Sequence, residues 1–495
     1  MIGRIILLML VAFSGEAARE AAADGAPPGR TLVLGGTEFR GNHSLASAYL
    51  LDQLASRPGD PLDSAAMERD LAAVSLAYAR NGHPHAAITP AEFRMESDSV
   101  RRVISIDEGP RVTVAGLRFS GNRTTKHRVM ARLTGLAAPA AFDSRRVELA
   151  VKRLVKSGLF ASALPPHLEA SPGAGPGEEV LVFTVMERPY HGLYGAVGYS
   201  QPEGSERGWL AGALSLSLSN IAGTARAFKL DWERPRRENS RLELGYTEPW
   251  VLGYPLSAEL GAGHRVEDSS YVQTRASALL VVSLGENFSA GFGGGLERVV
   301  PGTSQSVGRS LKYSSLWQLR ADLRNDDRMG TGLWASTRLE YGRKRYSRPE
   351  AQHTLARVWG DAGFLARVWR RLFAYTGLHG RAVSSGEHPV PRPDQFPLGG
   401  AGSLRGYFEE QFVADQVAWG TAELRLAVDR ALSFHPFWDA GYYWDGGRGQ
   451  RGIRHGYGLG FRLETRIGRV AVDYGLGRDD GLMDGKIHLL LGSEF

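Results

Sequence analysis

The chain has 495 residues, with 59 Lys and Arg against 53 Asp and Glu, and no cysteine. That length accommodates two to four domains. The absence of thiols excludes disulfides and cysteine-bound metals, so stability must come from a packed core or from a membrane. The mild positive excess gives no argument for nucleic acid as a partner.

Arg4 is followed by the apolar run from Ile5 to Phe13 and then by Ser, Gly and Ala. This order predicts a secretory signal peptide over residues 1–22, cleaved between Ala17 and Ala23. Beyond Phe13 no run approaches the roughly 20 apolar residues of a transmembrane helix. All ten Trp lie at or beyond Trp209, which sets a boundary near Pro189 between two parts of different composition.

The front part contains one unit twice, over residues 31–110 and 111–189. Phe39-Arg40-Gly41-Asn42 returns as Phe119-Ser120-Gly121-Asn122, and Glu108-Gly109-Pro110 returns as Glu187-Arg188-Pro189. A period of about 80 residues is too long for a solenoid repeat and marks two small domains. Asp63 and Asp143 are expected to cap helices with matching apolar faces, Met67, Leu71 and Val74 against Val147, Val151 and Leu154. Each unit is expected to run strand, helix, helix, strand, strand, an α+β layer whose sheet edges are open to an added peptide strand.

From residue 190 the period changes to two. In Trp317-Gln318-Leu319-Arg320-Ala321-Asp322-Leu323-Arg324 one face is apolar and the other charged, as a strand with one greasy and one wet side requires. Some sixteen such segments follow one another without a helix, with Trp or Tyr near many ends. The expected fold class is therefore an all-β transmembrane barrel of about 16 antiparallel strands over residues 190–495, preceded by the two α+β domains.

One stretch fits neither strand nor solvated turn: residues 386–412, an inserted loop between the eleventh and twelfth strands, containing Leu398-Gly399-Gly400-Ala401-Gly402-Ser403-Leu404-Arg405-Gly406-Tyr407-Phe408. Its Leu404, Tyr407 and Phe408 call for burial around a lone cation, Arg405, and a buried guanidinium needs carboxylates. Strand parity places Glu423, Asp439, Arg462 and Phe437 on the inner face, together with Gly441, Gly458 and Gly460. A loop folded into the lumen would bring Arg405 to Glu423 and Asp439, with the glycines making room.

Leu404-Arg405-Gly406-Tyr407 resembles the (V/L)RG(F/Y) loop motif of the BamA/TamA superfamily of outer-membrane assembly and secretion barrels. Phe437-Trp438-Asp439-Ala440-Gly441 is similar to its F-x-D-x-G strand, and Gly458-Leu459-Gly460-Phe461-Arg462 with Asp473-Tyr474-Gly475 resembles its ending. The resemblance implies that the front repeats are periplasmic POTRA domains and that the barrel sits in the outer membrane of a Gram-negative bacterium. It also implies a weak seam between the first and last strands, expected here at Leu193, Tyr199, Gly492 and Phe495. The partners it implies are unfolded outer-membrane or secreted client proteins, membrane lipid, and an inner-membrane or lipoprotein component docked on the repeats.

The role so implied is a TamA-like insertion factor. BamA-type proteins usually carry five repeats and TamA-type three, whereas this chain has two, the number in two-partner secretion transporters. Those usually begin with a plug helix and linker, for which there is little room between the expected cleavage and residue 31. A passive porin would leave the repeats and the buried arginine unexplained. No G-x-S-x-G, H-E-x-x-H or phosphate-loop pattern is present, so neither an enzyme nor a cofactor is expected. Asp326-Asp327 and Asp479-Asp480 with Asp484 are read as polar turns rather than cation sites.

Overall fold

The computed structural model describes residues 32–495 except 97–98, 172, 174, 176, 189–190, 201–208, 237, 304–306, 326–329, 348–349, 430, 465–468 and 493–495. The expected signal peptide, Asp326, Asp327 and Phe495 fall outside the described residues, as does the side chain of Tyr199. The chain divides into two units between Glu187 and Arg188.

The first unit holds two related layers. In one, β1 (Val33–Arg40), β2 (Ala87–Glu96) and β3 (Ser99–Asp107) form a sheet of order β1-β3-β2 beside α1 (Ser47–Gln53) and α2 (Ser64–Arg80). In the other, β4 (Thr113–Ser120), β5 (Ala140–Ala141), β6 (Phe160–Ala163), β7 (His167–Ala170) and β8 (Glu178–Glu187) accompany α3 (His127–Thr134) and α4 (Ser144–Lys156). The parallel pair β1–β3 has its counterpart in β4–β8, and the ladder is irregular at Leu34/Gly36 and again at Val114/Gly116. Asp63 and Asp143 cap α2 and α4 by accepting from backbone N–H groups of the first turn.

The repeated sequence words mark one contact made twice. Gly41 and Gly121 have φ of 85° and 84°, and a Cβ on either would sit 2.2 or 2.1 Å from the carbonyl oxygen of Ile106 or Val185. Just beyond, Asn42 donates to Leu45 O and Asn122 to Thr125 O, both at 2.9 Å. The turn so formed is closed by an acid at the end of the neighbouring strand. Glu108 accepts from Ser44 N (2.7 Å) and Glu187 from Thr125 N (2.7 Å). The second layer departs from the expected order by the added β5 and β6. Its helix α4 has 13 residues where α2 has 17, so chain that would be helical runs extended as β6 against the end of β8.

The second unit is one sixteen-stranded sheet in which each strand pairs antiparallel with the next. Its first eleven strands are β9 (His191–Ser200), β10 (Trp209–Ile221), β11 (Arg226–Arg236), β12 (Asn239–Glu248), β13 (Leu256–Glu267), β14 (Tyr271–Leu284), β15 (Phe288–Pro301), β16 (Ser310–Arg324), β17 (Gly332–Ser347), β18 (Glu350–Trp369) and β19 (Leu372–Ser385). A loop then carries a small hairpin, β20 (Phe396–Leu398) with β21 (Phe412–Ala414). The sheet resumes with β22 (Gln416–Ala427), β23 (Leu432–Asp445), β24 (Gln450–Glu464), β25 (Arg469–Gly477) and β26 (Lys486–Gly492). The Cα atoms of β26 approach those of β9 within 8 Å, bringing the two ends of the sheet together.

The burial pattern is the inverse of a soluble protein's. Trp317, Leu319 and Leu459 are 51, 63 and 67 % exposed, while Lys312, Glu423 and Asp439 are 2, 6 and 0 % exposed. Charges inside and an apolar belt outside are what a strand ring in lipid requires.

Candidate functional site

Residues 386–415 leave the sheet after β19 and return at β22. The loop is three residues longer than expected at its second end, because Phe412–Ala414 pairs with Phe396–Leu398 instead of opening a barrel strand. It brings its own apolar core: Val390, Phe396, Leu398, Leu404, Tyr407 and Ala414 pack with Leu355, Val383 and Val417 of the wall. Leu398 and Leu404 are completely buried, and full burial of such a side chain stabilises by about 1.5–3 kcal/mol.

This packing places Arg405, 5 % exposed, against the inner face of β22 to β25. Its Nε and Nη2 donate to the two oxygens of Asp439, both at 2.8 Å, in a side-on fork. Its Nη1 donates to Glu423 and to Asp473, both at 2.9 Å. The guanidinium carbon lies 3.6 Å from the ring centroid of Phe437, which supplies a cation–π face beneath it. Glu423 in turn accepts from Arg425 Nε (2.7 Å) and Arg462 Nη2 (3.1 Å), and His435 Nε2 stands 3.0 Å from Asp473. Three buried carboxylates thus face three guanidinium groups, of which Arg405 is buried and Arg425 and Arg462 are part exposed.

The loop backbone is held as closely as its side chain. Arg405 N donates to Asp439 (3.1 Å) and Gly406 N to His488 Nε2 (3.0 Å) on the last strand. Tyr407 Oη donates to His455 O at 3.1 Å. Gly406 has φ of 88° and lies against the carbonyl of Leu476. The approach is backbone to backbone, because a Cβ on Gly456 would stand 1.9 Å from Arg405 O and one on Gly475 would stand 2.6 Å from Gly406 N.

Sequence parity thus brings together Arg405, Glu423, Asp439, Phe437 and Arg462 in one seat, with Leu404 packed 3.0 Å from the position a Gly441 Cβ would take. Gly458 and Gly460 serve a different purpose from that expected. They accommodate Phe437, His435 and Asp473 of the wall itself, whereas Gly441 makes room for the loop as expected and is joined beneath it by Gly456, Gly475 and Gly477. Phe408 is not buried but 66 % exposed, since the turn at Gly406 sends Tyr407 inward and the next side chain outward. Asp473 and His488 were missed as partners. The inward parity of Asp473, between outward Val472 and Tyr474, was the signal for it.

At the expected seam, Leu193 is exposed, Tyr199 pairs through its backbone with Leu210, and Gly492 pairs with Arg469. The acids at the last turn are occupied locally: Asp480 holds Lys486 (2.5 Å) and the N–H of Gly477 (2.7 Å), and Asp484 accepts from Gly481 N (3.1 Å).

The Omp85 superfamily domain matches residues 220–495, and the POTRA domain, a surface antigen variable number repeat, matches residues 33–109. A Treponema pallidum (strain Nichols) protein, provisionally described as an outer membrane protein assembly factor, is 24 % identical over 236 residues. The match takes in 46 % of this chain and 27 % of that relative's length. Among solved structures, Haemophilus ducreyi BamA lacking POTRA domains 1–3 superposes with a TM-score of 0.55 at 16 % identity, covering 89 % of this chain and 95 % of that one. Escherichia coli CdiB superposes with a TM-score of 0.54 at 16 % identity, covering 98 % of this chain and 97 % of that one. Both likenesses are of fold. With the superfamily domain spanning more than half of the sequence, the chain belongs to the Omp85 superfamily.

Proposed function

We propose that this protein works in the outer membrane of a Gram-negative bacterium as a TamA-like insertion factor, with its first unit in the periplasm. Client strands are captured on the sheet edges of that unit and pass into lipid through the seam between β9 and β26. The observation that carries this reading is the construction of the seam. The β17–β18 ladder joins sixteen residue pairs, whereas β26 and β9 stand at the two ends of the sheet order, close in space but with no ladder between them among the described residues. β9 carries Gly192, Gly195 and Gly198, and glycine weakens a strand. An edge of this kind accepts an extended client by backbone pairing, and burial of the client's apolar face in lipid drives release.

The test uses the chain's lack of cysteine. Cysteine pairs placed across β9 and β26 and oxidised should abolish insertion of client barrels into vesicles, and reductant should restore it. Full insertion with the seam locked would refute lateral passage. A second reading, export of one secreted partner through the pore, is favoured by the end-to-end match to CdiB. It predicts that locking the seam leaves export intact while plugging the lumen stops it.

A further inference from the structure

The limb of the loop that precedes Arg405 ends in a charge of the opposite sign. Asp394, 1 % exposed, sits in a short turn at residues 392–394 and forms ion pairs with Lys344 of β17 and Arg357 of β18. Arg357 also reaches Glu297 (3.2 Å) and Glu340 (3.5 Å), and Lys312 reaches the same two acids at 3.0 Å each. The adjoining carbonyl of Pro393 accepts from Gln273 (3.2 Å) and Arg357 (3.4 Å). At the loop's root, Glu387 is a quarter exposed, accepts from Tyr346 Oη (2.6 Å) and stands 4.0 Å from Lys344.

We propose that the inner wall of β15 to β18 is a carboxylate-binding site whose occupant is the loop's own Asp394, so that the loop is latched twice with opposite polarity. The strands' own acids facing Lys312, Lys344 and Arg357 are Glu297 and Glu340, all five less than 10 % exposed, and Glu387 at the loop's root reaches Lys344 only at 4.0 Å and is a quarter exposed. The wall therefore carries an uncompensated cation that Asp394 neutralises. On the wall of β22 to β25, Glu423, Asp439 and Asp473 outnumber Arg425 and Arg462, and Arg405 supplies the missing cation. Buried groups of this kind, unlike surface pairs, cannot exchange a lost partner for water. Withdrawing the loop thus exposes two unbalanced sites at once. Nothing in this depends on which client the barrel serves.

The test is a thiol reporter at Val390, which is 7 % exposed on the same limb, in the full-length protein reconstituted in vesicles. V390C alone should react slowly with a soluble maleimide, and adding Asp394→Asn should speed labelling at least tenfold and lower the unfolding midpoint. Adding Lys344→Met to Asp394→Asn removes one charge of each sign. That double variant should keep the fast labelling but return the midpoint to near its original value. Labelling of Asp394→Asn within twofold of the parent would overturn the latch. A double variant less stable than Asp394→Asn would overturn the charge-balance argument. If Asp394→Asn yields no folded, heat-modifiable barrel, recovery of folding by the double variant supports the proposal and failure of both refutes it.

Discussion

Arg405 satisfies three carboxylates because a guanidinium carries five donors in a plane, two of which form the fork on Asp439. A lysine ammonium offers a point charge and no such fork. Arg405→Ala leaves three acids facing two cations and should cost ~3–5 kcal/mol in barrel stability. Arg405→Lys should recover less than half of that, as measured by denaturant unfolding in vesicles. The acids that close the two turns of the first unit offer a pH test. Burial of Glu187 favours its protonated form, but hydrogen bonds from the Thr125 hydroxyl and the N–H groups of Arg123, Thr124 and Thr125 outweigh that and hold its carboxyl at about 2. A depressed folded-state pKa means the stabilisation is complete above the ordinary carboxylate range and fades as pH falls toward 2. It amounts to no more than ~3 kcal/mol. Glu187→Gln should make residues 111–187 protease-sensitive already at pH 6 and flatten the acid transition, and an unchanged pH profile would refute the contact's importance. Single residues were legible where parity spoke: Glu423 and Asp439 could only point inward. Phe408 was not legible, because its direction is set by the positive φ of Gly406 and not by any alternation.

The elements show the same division. Long strands such as Ser310–Arg324 repeat their alternation often enough to declare both face and ends. The hairpin strands β20 and β21 have three residues each, fewer than two periods, and their pairing depends on the apolar core the loop finds against the wall. Glycine spacing also hid its own meaning. In β24, Gly456, Gly458 and Gly460 all face inward and look alike in sequence, yet only the first lies under the loop. That difference gives a prediction at the level of the element. Gly456→Ala places a methyl group where Arg405 O stands and should lift the tip from its seat, costing about 1–3 kcal/mol as overpacking does. Gly402→Ala, with nothing within 4 Å of the added atom, should be neutral. Vesicle conductance compares the two directly: the first variant should open larger and more frequent channels, and equal traces would refute the seat.

For the molecule as a whole, the ten Trp all lie at or beyond Trp209, so indole fluorescence follows the barrel and ignores the first unit. Deleting residues 32–110 should leave the fluorescence unfolding curve of the barrel unchanged while reducing client insertion severalfold. Loss of the barrel transition itself would mean that the two units fold as one.

The loop's two latches are ordered along the chain. The groups that hold Asp394, Lys344 and Arg357, come before it, and those that hold Arg405 and Gly406, namely Glu423, Asp439, Asp473 and His488, all come after. A folding barrel can thus fasten the first half of this clasp early and seat Arg405 once β25 is in place, but the second half is complete only when the final strand brings His488 to Gly406 N. Chains cut short of β26 should therefore still seat Arg405 on its three acids but leave the Gly406 N–H without His488, so that the tip stays half fastened until the last strand closes the ring.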